Sequence, residues 1–271
     1  MSDLPPGALE PIVRHIEEEF RSKPPTLAVI GLSGVGKSSV INAMFGTRRH
    51  VSPTTRGTSR FSSSVFDIVS RRVEGAPVTC ALRVVDAPGL GEDADLDGNY
   101  LKRYRSHLPE CDVALWVVAA RNRALALDQQ YLARLKDQLP SLVIGVNQVD
   151  LVEPLTWNEG INMPSPEQAE HIEEILADRR ARLARVVGAD VPAVAFSALR
   201  YYNLQALFNA CLQSAPKNRR WMFELLKSFS TSDWLARAKA LTPAQREQLA
   251  KRYISSDAKI RLADVGKDRA G

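Results

Sequence analysis

The chain has 271 residues, of which 45% are hydrophobic and 25% are charged. This length suffices for one α/β domain with a sizeable core and a short extension, but not for two full enzymes. The cysteines at positions 80, 111 and 211 lie far apart without the spacing of metal ligands, which argues against a disulfide framework and against a zinc or iron site. The longest apolar run, Val113 to Ala120, is too short to span a membrane, so we expect a cytoplasmic protein without membrane insertion.

The excess of basic residues is confined to the end of the sequence. The whole chain carries 36 Lys and Arg against 31 Asp and Glu, a net charge of +5. Residues 217–271 hold 13 of the basic and 6 of the acidic residues, so this segment carries +7 and the rest of the chain carries −2. Two interpretations stay open: a surface that binds RNA or another anionic partner, and the solvated basic face of ordinary helices.

The sequence begins with an amphipathic helix that is followed by a strand. Apolar residues recur at helical spacing as far as a Pro-Pro pair: Leu9, Ile12, Val13, Ile16 and Phe20. We therefore place an N-terminal helix within residues 1–24, packed on the surface of the domain that follows. Leu27–Ile30 is a continuous apolar run, which is typical of a strand buried on both faces.

A phosphate-binding loop directly follows that strand. Residues 31–38 read Gly-Leu-Ser-Gly-Val-Gly-Lys-Ser, which matches the pattern Gly-x-x-x-x-Gly-Lys-Ser without a gap. The glycines allow consecutive backbone N–H groups to point at the β- and γ-phosphates, while Lys37 adds positive charge and Ser38 can ligate Mg²⁺. Apolar residues at helical spacing follow, so the loop has its expected strand and helix and predicts a nucleoside triphosphate. The residues assigned to it are Ser33, Gly34, Val35, Gly36, Lys37, Ser38 and Ser39.

The next two strands lead to a second phosphate motif. Phe61–Val69 and Val78–Val85 are predicted strands, and the segment between them is too short for a crossover helix, so the pair is expected to be an antiparallel hairpin. Residues 86–89, which read Asp-Ala-Pro-Gly, come at the end of the second strand. There Asp86 can hold Mg²⁺ through a water, and the N–H of Gly89 can reach the γ-phosphate.

Helices and strands then alternate, which predicts a doubly wound α/β fold. Strands are predicted over Val113–Ala119, Leu142–Asn147 and Pro192–Phe196, and helices over Asn99–His107, Leu125–Gln138, Pro166–Val187 and Asn203–Gln213. With the first three strands they form a mostly parallel six-stranded sheet with one antiparallel strand, plus an N-terminal helix and a C-terminal helical extension. Helix starts are clearest at Ser165 and Thr242. Each of these residues is followed directly by Pro, and Gln stands three positions after the Ser or Thr.

The residues after two later strands favour guanine over adenine. Residues 147–150 read Asn-Gln-Val-Asp, and the carboxylate of Asp150 can accept hydrogen bonds from the N1–H and the 2-amino group of guanine. Adenine lacks both donors and would leave Asp150 unpaired, so GTP or GDP is the expected ligand. Ser197-Ala198, just after the last strand, can offer a backbone N–H to guanine O6. The residues assigned to the base are Asn147, Gln148, Asp150, Ser197 and Ala198.

These four motifs resemble those of the GTPase superfamily of P-loop proteins, and the resemblance covers residues of about 26 to 214. Residues 51–60 and the Asp-x-Pro-Gly form are similar to the Era-related branch. The Asn-Gln-x-Asp form, with residues 151–158 after it, is similar to a bacterial, often prophage-borne group known as 50S ribosome-binding or HSR1-related GTPases. The resemblance implies a switch protein that binds GTP or GDP with Mg²⁺ and hydrolyses GTP to GDP and phosphate.

The resemblance also assigns residues to the metal and to the reaction. The implied metal ligands are Ser38, Thr58 and Asp86, and the implied catalytic residues are Lys37, Thr58 and Gly89. Thr58 is chosen because residues 57–60 read Gly-Thr-Ser-Arg, close to the Gly-Thr-Thr-Arg form of the Era-related branch, and Thr55 is the alternative. The loop that holds them, between the first helix of the domain and the second strand, is the expected first switch.

Three residues depart from the superfamily pattern. Gln148 stands where the guanine motif usually has Lys, which predicts lower affinity with unchanged base selectivity. Leu90 stands where Ras-like proteins have a water-orienting Gln, and an aliphatic side chain cannot align a nucleophile, so we expect slow hydrolysis, on the order of 10⁻⁴ s⁻¹ or somewhat faster. Gly34 replaces an Asn that helps many Era-branch proteins bind K⁺, which makes potassium stimulation doubtful. Arg56 or Arg60 could act as a cis arginine, although exposed arginines are usually just solvated.

The expected division of the chain has three parts: an N-terminal helix at 1–24, a GTP-binding domain at 25–214 and a basic helical extension at 215–271. An apolar stripe from Trp221 to Phe229 opens the extension. A stripe of this kind needs burial, and the domain, a second copy of the chain or a partner could each cover it.

Two hypotheses for the function follow. In the first, the chain is a GTPase switch whose loops near Thr58 and Gly89 order around the γ-phosphate and Mg²⁺. In the second, it is a nucleotide-stabilised module whose basic C-terminal helices bind RNA or the ribosome. The partners other than guanine nucleotide therefore stay open among an activating protein, the ribosome or RNA, and a second copy of the chain.

Overall fold

The structure, a computed structural model, describes residues 7–45, 61–91, 94–122 and 125–226. Its strands are β1 (Thr26–Gly31), β2 (Ser62–Val73), β3 (Ala76–Asp86), β4 (Val113–Ala119), β5 (Ser141–Asn147), β6 (Trp157–Asn158), β7 (Met163–Pro164) and β8 (Ala193–Ala195). Its helices are α1 (Leu9–Ser22), α2 (Lys37–Phe45), α3 (Ala94–His107), α4 (Ala126–Leu135), α5 (Pro166–Val187), α6 (Leu204–Gln213) and α7 (Arg220–Leu226).

Six of the strands form one mixed sheet in the order β2-β3-β1-β4-β5-β8. The pairs from β3 through β8 are parallel, and β2 alone runs antiparallel, paired with β3. The fold class predicted from the sequence is therefore confirmed. Because the parallel strands share one direction, the loops after β1, β3, β5 and β8 meet at the same edge of the sheet, where ligands bind in folds of this type.

The β2–β3 hairpin confirms the short antiparallel connection expected from the sequence. Its turn is Glu74-Gly75, and both residues have positive φ, +48° and +76°. Both strands run further than predicted, with β2 reaching Val73 and β3 starting at Ala76. The additional strand residues next to the turn include polar ones, which interrupt the apolar pattern on which the prediction rested.

The centre of the sheet is fully covered. Every residue of β1 is buried, as are six of the seven residues of β4, which is what continuous apolar strands between two helical layers require. The indole of Trp116 in β4 donates from Nε1 to Asp128 Oδ1 on α4 at 3.0 Å, and both side chains are 0% exposed. This bond ties α4 to the middle of the sheet.

The start of α5 has the predicted N-cap hydrogen bond but not the reciprocal bond of a capping box. Ser165 Oγ accepts from the N–H of Gln168 at 3.2 Å, as expected of a cap before α5. The side chain of Gln168 does not return to the cap, because it donates from Nε2 to Val152 O at 2.7 Å. The corresponding prediction at Thr242 lies outside the described residues.

The two ends of the described chain meet at the amino ends of β1 and β4. Arg219 pairs with Asp112 (Nε to Oδ1, 2.7 Å) and donates to Lys23 O at 2.7 Å. The rings of Phe20 and Trp221 meet edge to face with their centroids 5.9 Å apart. The first part of the predicted apolar stripe, as far as Leu226, thus packs on the domain, and the remainder lies outside the described residues. No helix in the described ranges is long and apolar enough to cross a membrane.

Candidate nucleotide-binding site

The predicted phosphate loop lies between β1 and α2. Lys37 begins the helix and Ser38 and Ser39 lie in its first turn, so the positive end of the helix dipole faces the loop. Lys37 is buried, and its Nζ donates to Leu32 O at 2.7 Å. This bond folds the lysine side chain over the loop, where its charge is close to the phosphate positions.

The hydroxyl of Ser38 lies beside the carboxylate that ends β3. Ser38 Oγ donates to Asp86 Oδ2 at 3.0 Å, and Asp86 is 1% exposed. A hydroxyl and a carboxylate at this separation supply the hard oxygen ligands that Mg²⁺ prefers. The donor set therefore fits this metal. The third predicted ligand, Thr58, and its alternative, Thr55, lie outside the described residues.

The segment that follows Asp86 lies directly on the phosphate loop. Ser33 donates from its backbone N–H to Leu90 O at 2.9 Å, and Leu90 donates to Gly31 O at 3.3 Å. Gly89 directly precedes Leu90, and a Cβ atom at this position would be 2.7 Å from Ser33 Cα. Only glycine allows this approach, so Gly89, for which a γ-phosphate contact is predicted, lies directly against the predicted phosphate loop.

Asn147, at the end of β5, joins the phosphate loop to the loop after β8. Its Nδ2 donates to Val35 O at 2.9 Å, and its Oδ1 accepts from the N–H of Ala198 at 3.1 Å. The side chain is 2% exposed. Gly36 leaves room for it, because a Cβ there would be 2.5 Å from Asn147 Nδ2. The sequence assigned Asn147 to the base, whereas the structure gives it this bridging position between two other motifs.

The next residues present a carboxylate at the same edge of the sheet. Gln148 has a φ of +65°, and its Nε2 reaches Gly34 O at 3.4 Å. This turn places Asp150 in a short 3₁₀-helix, Val149–Leu151, where it is 7% exposed. Its carboxylate has no hydrogen-bond or ion-pair partner within the described ranges. A nearly buried carboxylate of this kind can accept two hydrogen bonds from a ligand.

The loop after β8 differs in detail from the prediction. The N–H of Ser197 donates to Tyr202 O at 3.1 Å and that of Ala198 donates to Asn147 Oδ1, so both amides already have a partner within the protein. The following residue, Leu199, is 74% exposed, and its N–H has no partner in the part of the chain that the structure describes. The structure therefore adds Leu199 as a backbone donor that the sequence did not indicate.

Residues 26–148 match the family described as 50S ribosome-binding GTPase. They include the phosphate loop, the Asp-Ala-Pro-Gly segment and the first two residues of the guanine motif. The chain contains a P-loop GTPase domain. The narrower similarity to the Era-related branch stays a prediction.

Curated relatives of the GTPase domain include two proteins of Escherichia coli K12. YfjP is 29% identical over 178 residues, which cover 64% of this chain and 56% of YfjP. YkfA is 29% identical over 160 residues, or 57% of this chain and 51% of YkfA. GTPase Der of Chlorobaculum tepidum is 32% identical over 143 residues, or 51% of this chain and 30% of Der. The chain thus spans about half the length of the first two relatives, and less of the third.

Two further residues near the candidate site, Leu90 and Trp157, have contacts that show their structural roles. Leu90, in the place of a water-orienting Gln, is 0% exposed and takes part in the backbone pairing with the phosphate loop. Trp157 packs edge to face on Tyr202 and donates from Nε1 to Asn162 Oδ1 at 3.1 Å. Trp157 is therefore a packing residue of the β6–β7 hairpin. Arg56 and Arg60 lie outside the described residues.

A set of tyrosines and one aspartate supports the Asp-Ala-Pro-Gly segment of the GTPase domain, and sequence reasoning missed it. Tyr104 donates from its hydroxyl to Pro88 O at 2.6 Å. Asp97 accepts from the N–H of Gly91 at 3.1 and 3.2 Å and from the hydroxyl of Tyr131. Burial, together with the hydrogen bond to Asp97, raises the pKa of Tyr131 to about 12. These side chains belong to α3 and α4, and helical aromatic residues give no signal for a role of this kind.

Proposed function

We propose that the protein binds GTP and GDP with Mg²⁺ and acts as a nucleotide switch that hydrolyses GTP slowly. The observation that carries this proposal is the position of Asn147. One buried side chain holds the loop for the phosphates and the loop for the base at a fixed distance (2.9 Å to Val35 O and 3.1 Å from Ala198 N). Asp150, whose carboxylate has no partner among the described residues, follows three residues later. A nucleotide that spans both loops explains why they are held together.

Guanine is the base that this site suits. Asp150 would accept from the N1–H and the 2-amino group, and the amides of Ala198 and Leu199 would donate to O6, with Ala198 shared between O6 and Asn147. Ser197 supports this loop through its backbone pairing with Tyr202. Gln148 would lie along the face of the base, where an amide gives less attraction than the usual Lys.

The phosphates would be bound by the loop amides of residues 33–39 and by the ammonium group of Lys37. Ser38 and Asp86, with Thr58 from the first switch, would hold Mg²⁺, which neutralises charge on the β- and γ-phosphates when bound. Thr58 and Gly89 would donate backbone N–H groups to the γ-phosphate. These contacts exist only with GTP, so they are the part of the site that can report the nucleotide state.

Slow hydrolysis follows from the residue at position 90. Leu90 is aliphatic and 0% exposed, so its side chain cannot orient a water molecule for attack on the γ-phosphate. Lys37, Thr58 and Gly89 would stabilise the charge that develops on the transferring group without supplying a base. We expect an activating protein or a second copy of the chain to provide what is missing.

The test is a displacement titration with a fluorescent GDP derivative on the full chain. GTP and GDP should displace it, whereas ATP and xanthosine nucleotides should not. Asp150→Asn should lose guanine affinity by about 100-fold or more and gain affinity for xanthosine nucleotides, because an amide can donate where the carboxylate accepted. Glu153→Gln is the matched control, since Glu153 is an exposed carboxylate in the same loop. Equal competition by ATP, or unchanged GTP affinity in Asp150→Asn, would falsify this assignment.

The second candidate function is an RNA- or ribosome-binding module, and the charge distribution favours it. Residues 217–271 carry 13 basic and 6 acidic residues, and the matched family is described as ribosome-binding. We propose that residues 25–214 form the nucleotide-binding unit, with 1–24 and 215–271 as extensions, and that the basic extension is the part that would contact RNA. Binding of ribosomal RNA by the full chain should then weaken steeply with salt. Binding that does not depend on salt, or no binding, would contradict this second candidate and leave the nucleotide switch as the only proposed function.

A further inference from the structure

The hydroxyl of Tyr104 holds the peptide unit that precedes Gly89. Tyr104 lies on α3, is 0% exposed and donates to Pro88 O at 2.6 Å. The remainder of its ring packs in the core, where a phenylalanine would fit equally well. The hydroxyl of Tyr104 therefore serves its hydrogen bond to Pro88 and is not needed for packing.

That peptide unit fixes the direction of the Gly89 amide. The bond between Pro88 and Gly89 is not among the cis peptides of the described chain, so its C=O and N–H point in opposite directions. A hydrogen bond that holds the C=O of Pro88 toward α3 thus turns the N–H of Gly89 away from α3. Gly89 is buried against Ser33 of the phosphate loop, and in the described residues its N–H has no hydrogen-bond partner. A buried amide without a partner is rare unless a ligand satisfies it.

The surroundings of Tyr104 keep its hydroxyl protonated. Burial raises the pKa of Tyr104 well above its usual 10, the negative charge of Asp86 adds to this, and a hydrogen bond from the Gly31 backbone opposes it. The hydroxyl therefore stays protonated and remains a donor at any physiological pH. The ring of Phe61, the first described residue after the predicted first switch, meets Tyr104 edge to face at 5.0 Å.

We propose that Tyr104 is a positioning residue that aims the Gly89 N–H at the γ-phosphate and thereby sets the preference of the site for GTP over GDP. The proposal rests on the proposed function, because it needs a γ-phosphate beside Gly89. The hydrogen bond to Pro88 also polarises the peptide unit, which makes the Gly89 N–H a stronger donor. GDP has no phosphate at this position, so Tyr104 makes no difference to its binding.

The test compares Tyr104→Phe with Tyr100→Phe. Tyr100 lies one turn earlier on α3, is 9% exposed and has no hydrogen bond to the described chain, so its substitution is a matched control. Affinities for GDP and for a non-hydrolysable GTP analogue are measured by displacement of a fluorescent GDP derivative. In Tyr104→Phe the analogue should bind about fivefold more weakly, as expected for the loss of one hydrogen bond, while GDP affinity stays within about twofold. Tyr100→Phe should leave both affinities unchanged.

An unchanged ratio of the two affinities in Tyr104→Phe would overturn the proposal, and so would an equal loss of both, which indicates a structural role alone. Unchanged GDP affinity shows at the same time that the variant is folded. If the wild-type chain binds no guanine nucleotide, the proposed function fails and the role of Tyr104 fails with it, whereas an unchanged ratio in a variant that binds GDP overturns the role of Tyr104 alone. As a second measurement, the Gly89 amide resonance of ¹⁵N-labelled protein should shift between the GDP and analogue complexes in the wild type and shift less in Tyr104→Phe. Identical shifts in both proteins would contradict the proposal.

Discussion

The guanine end and the γ-phosphate end of the candidate site are held together in different ways. At the guanine end, the side chain of Asn147 bonds the backbone of Val35 and of Ala198, so the two loops are joined by a residue that lies between them. At the γ-phosphate end, the segment from Pro88 to Gly91 has backbone bonds to the phosphate loop through Leu90, and side chains of two helices hold it from the other side: Tyr104 and, through Asp97, Tyr131.

This difference indicates which end can respond to the nucleotide. The bonds of Asn147, at the end of β5, connect the loops that follow β1 and β8 and need no phosphate, so the guanine end should be formed whichever nucleotide is bound. The γ-phosphate end is supported by two helices, α3 and α4, and includes an amide that, on the proposed function, would gain its partner only when GTP is bound. Changes between the two nucleotide states should therefore begin at Gly89 and pass to α3 and α4.

The largest effect is expected where the phosphate loop touches Asn147. Gly36 has a φ of +93°, and a Cβ there would lie 2.5 Å from Asn147 Nδ2. Gly36→Ala should therefore strain the loop and break the bond from Asn147 to Val35, which lowers the affinity for GDP and for GTP analogues alike by about 100-fold or more. Titration with a fluorescent nucleotide measures both values.

Gly34→Ala is the control for backbone strain alone. Gly34 also has a positive φ, +76°, but a Cβ there would have no heavy atom within 4 Å. Its substitution should cost about tenfold or less in affinity, because only the conformational term remains. Similar losses in the two variants would show that the contact with Asn147 does not determine how the phosphate loop is held.

The next effect isolates the guanine end. Asn147→Ala leaves Val35 O and the Ala198 N–H without their partner, which costs about 1–3 kcal/mol. GDP and GTP-analogue affinities should fall together by about tenfold or more, with their ratio unchanged, as measured by calorimetric titration. A selective loss of affinity for the GTP analogue would mean that Asn147 responds to the γ-phosphate, and it would contradict the proposed difference between the two ends.

A smaller effect concerns Asp128, the buried carboxyl on α4 that accepts a hydrogen bond from Trp116. Burial raises the pKa of Asp128 from its usual 3.8 to about 6, with the hydrogen bond from Trp116 acting in the opposite direction. Because the folded state keeps this proton longer than the unfolded state, the contribution of Asp128 is most favourable below pH 4 and is lost as the pH rises through about 6. Asp128→Asn, which cannot ionise, should be more stable than the wild type at pH 7.5 by about 1–3 kcal/mol.

Thermal unfolding from pH 4 to pH 8 checks this prediction. The stability advantage of Asp128→Asn should shrink as the pH falls through about 6, because protonation of the wild-type carboxyl removes the same cost. A constant difference across this range would show that Asp128 is not titrating. Guanine selectivity, which depends on the other end of the site, should not change with this substitution.

The smallest effect is expected from Tyr131→Phe. Tyr131 acts on the segment only through Asp97, which still accepts from the Gly91 N–H when the hydroxyl is removed. The GTP-analogue affinity should therefore fall by less than about threefold, and GDP affinity should not change. A larger loss than in Tyr104→Phe, measured in the same titration, would assign the main support of the segment to α4 and not to α3.

The sequence predicted the sheet and the placement of its motifs well, because both depend on local patterns. Continuous apolar runs mark the buried strands, and the glycines and polar residues of the motifs occupy consecutive positions after them. It predicted less well where the local pattern is interrupted. Helix α3 begins at Ala94 and not at Asn99, because Gly98 and the acidic residues before it break the apolar period. The two-residue strands β6 and β7 are too short to have a period.

The supporting residues of the site were beyond local patterns altogether. Tyr104 and Tyr131 have the spacing of ordinary core residues of a helix, and only the packing of α3 and α4 brings their hydroxyls to Pro88 and Asp97. The amide of Ala198 is a similar case, since its donation to Asn147 depends on how β5 and β8 pair. Contacts of this kind are set by the tertiary structure, which spacing along the chain does not encode.

Amide hydrogen–deuterium exchange of the full chain, bound first to GDP and then to a non-hydrolysable GTP analogue, tests the difference between the two ends most directly. Peptides that cover residues 86–91 should exchange more slowly with the analogue, because the Gly89 amide and the segment around it gain a partner. Peptides that cover residues 145–150 and 196–199 should exchange at the same rate in both complexes. Equal changes at the two ends, or a change at the guanine end alone, would contradict the account.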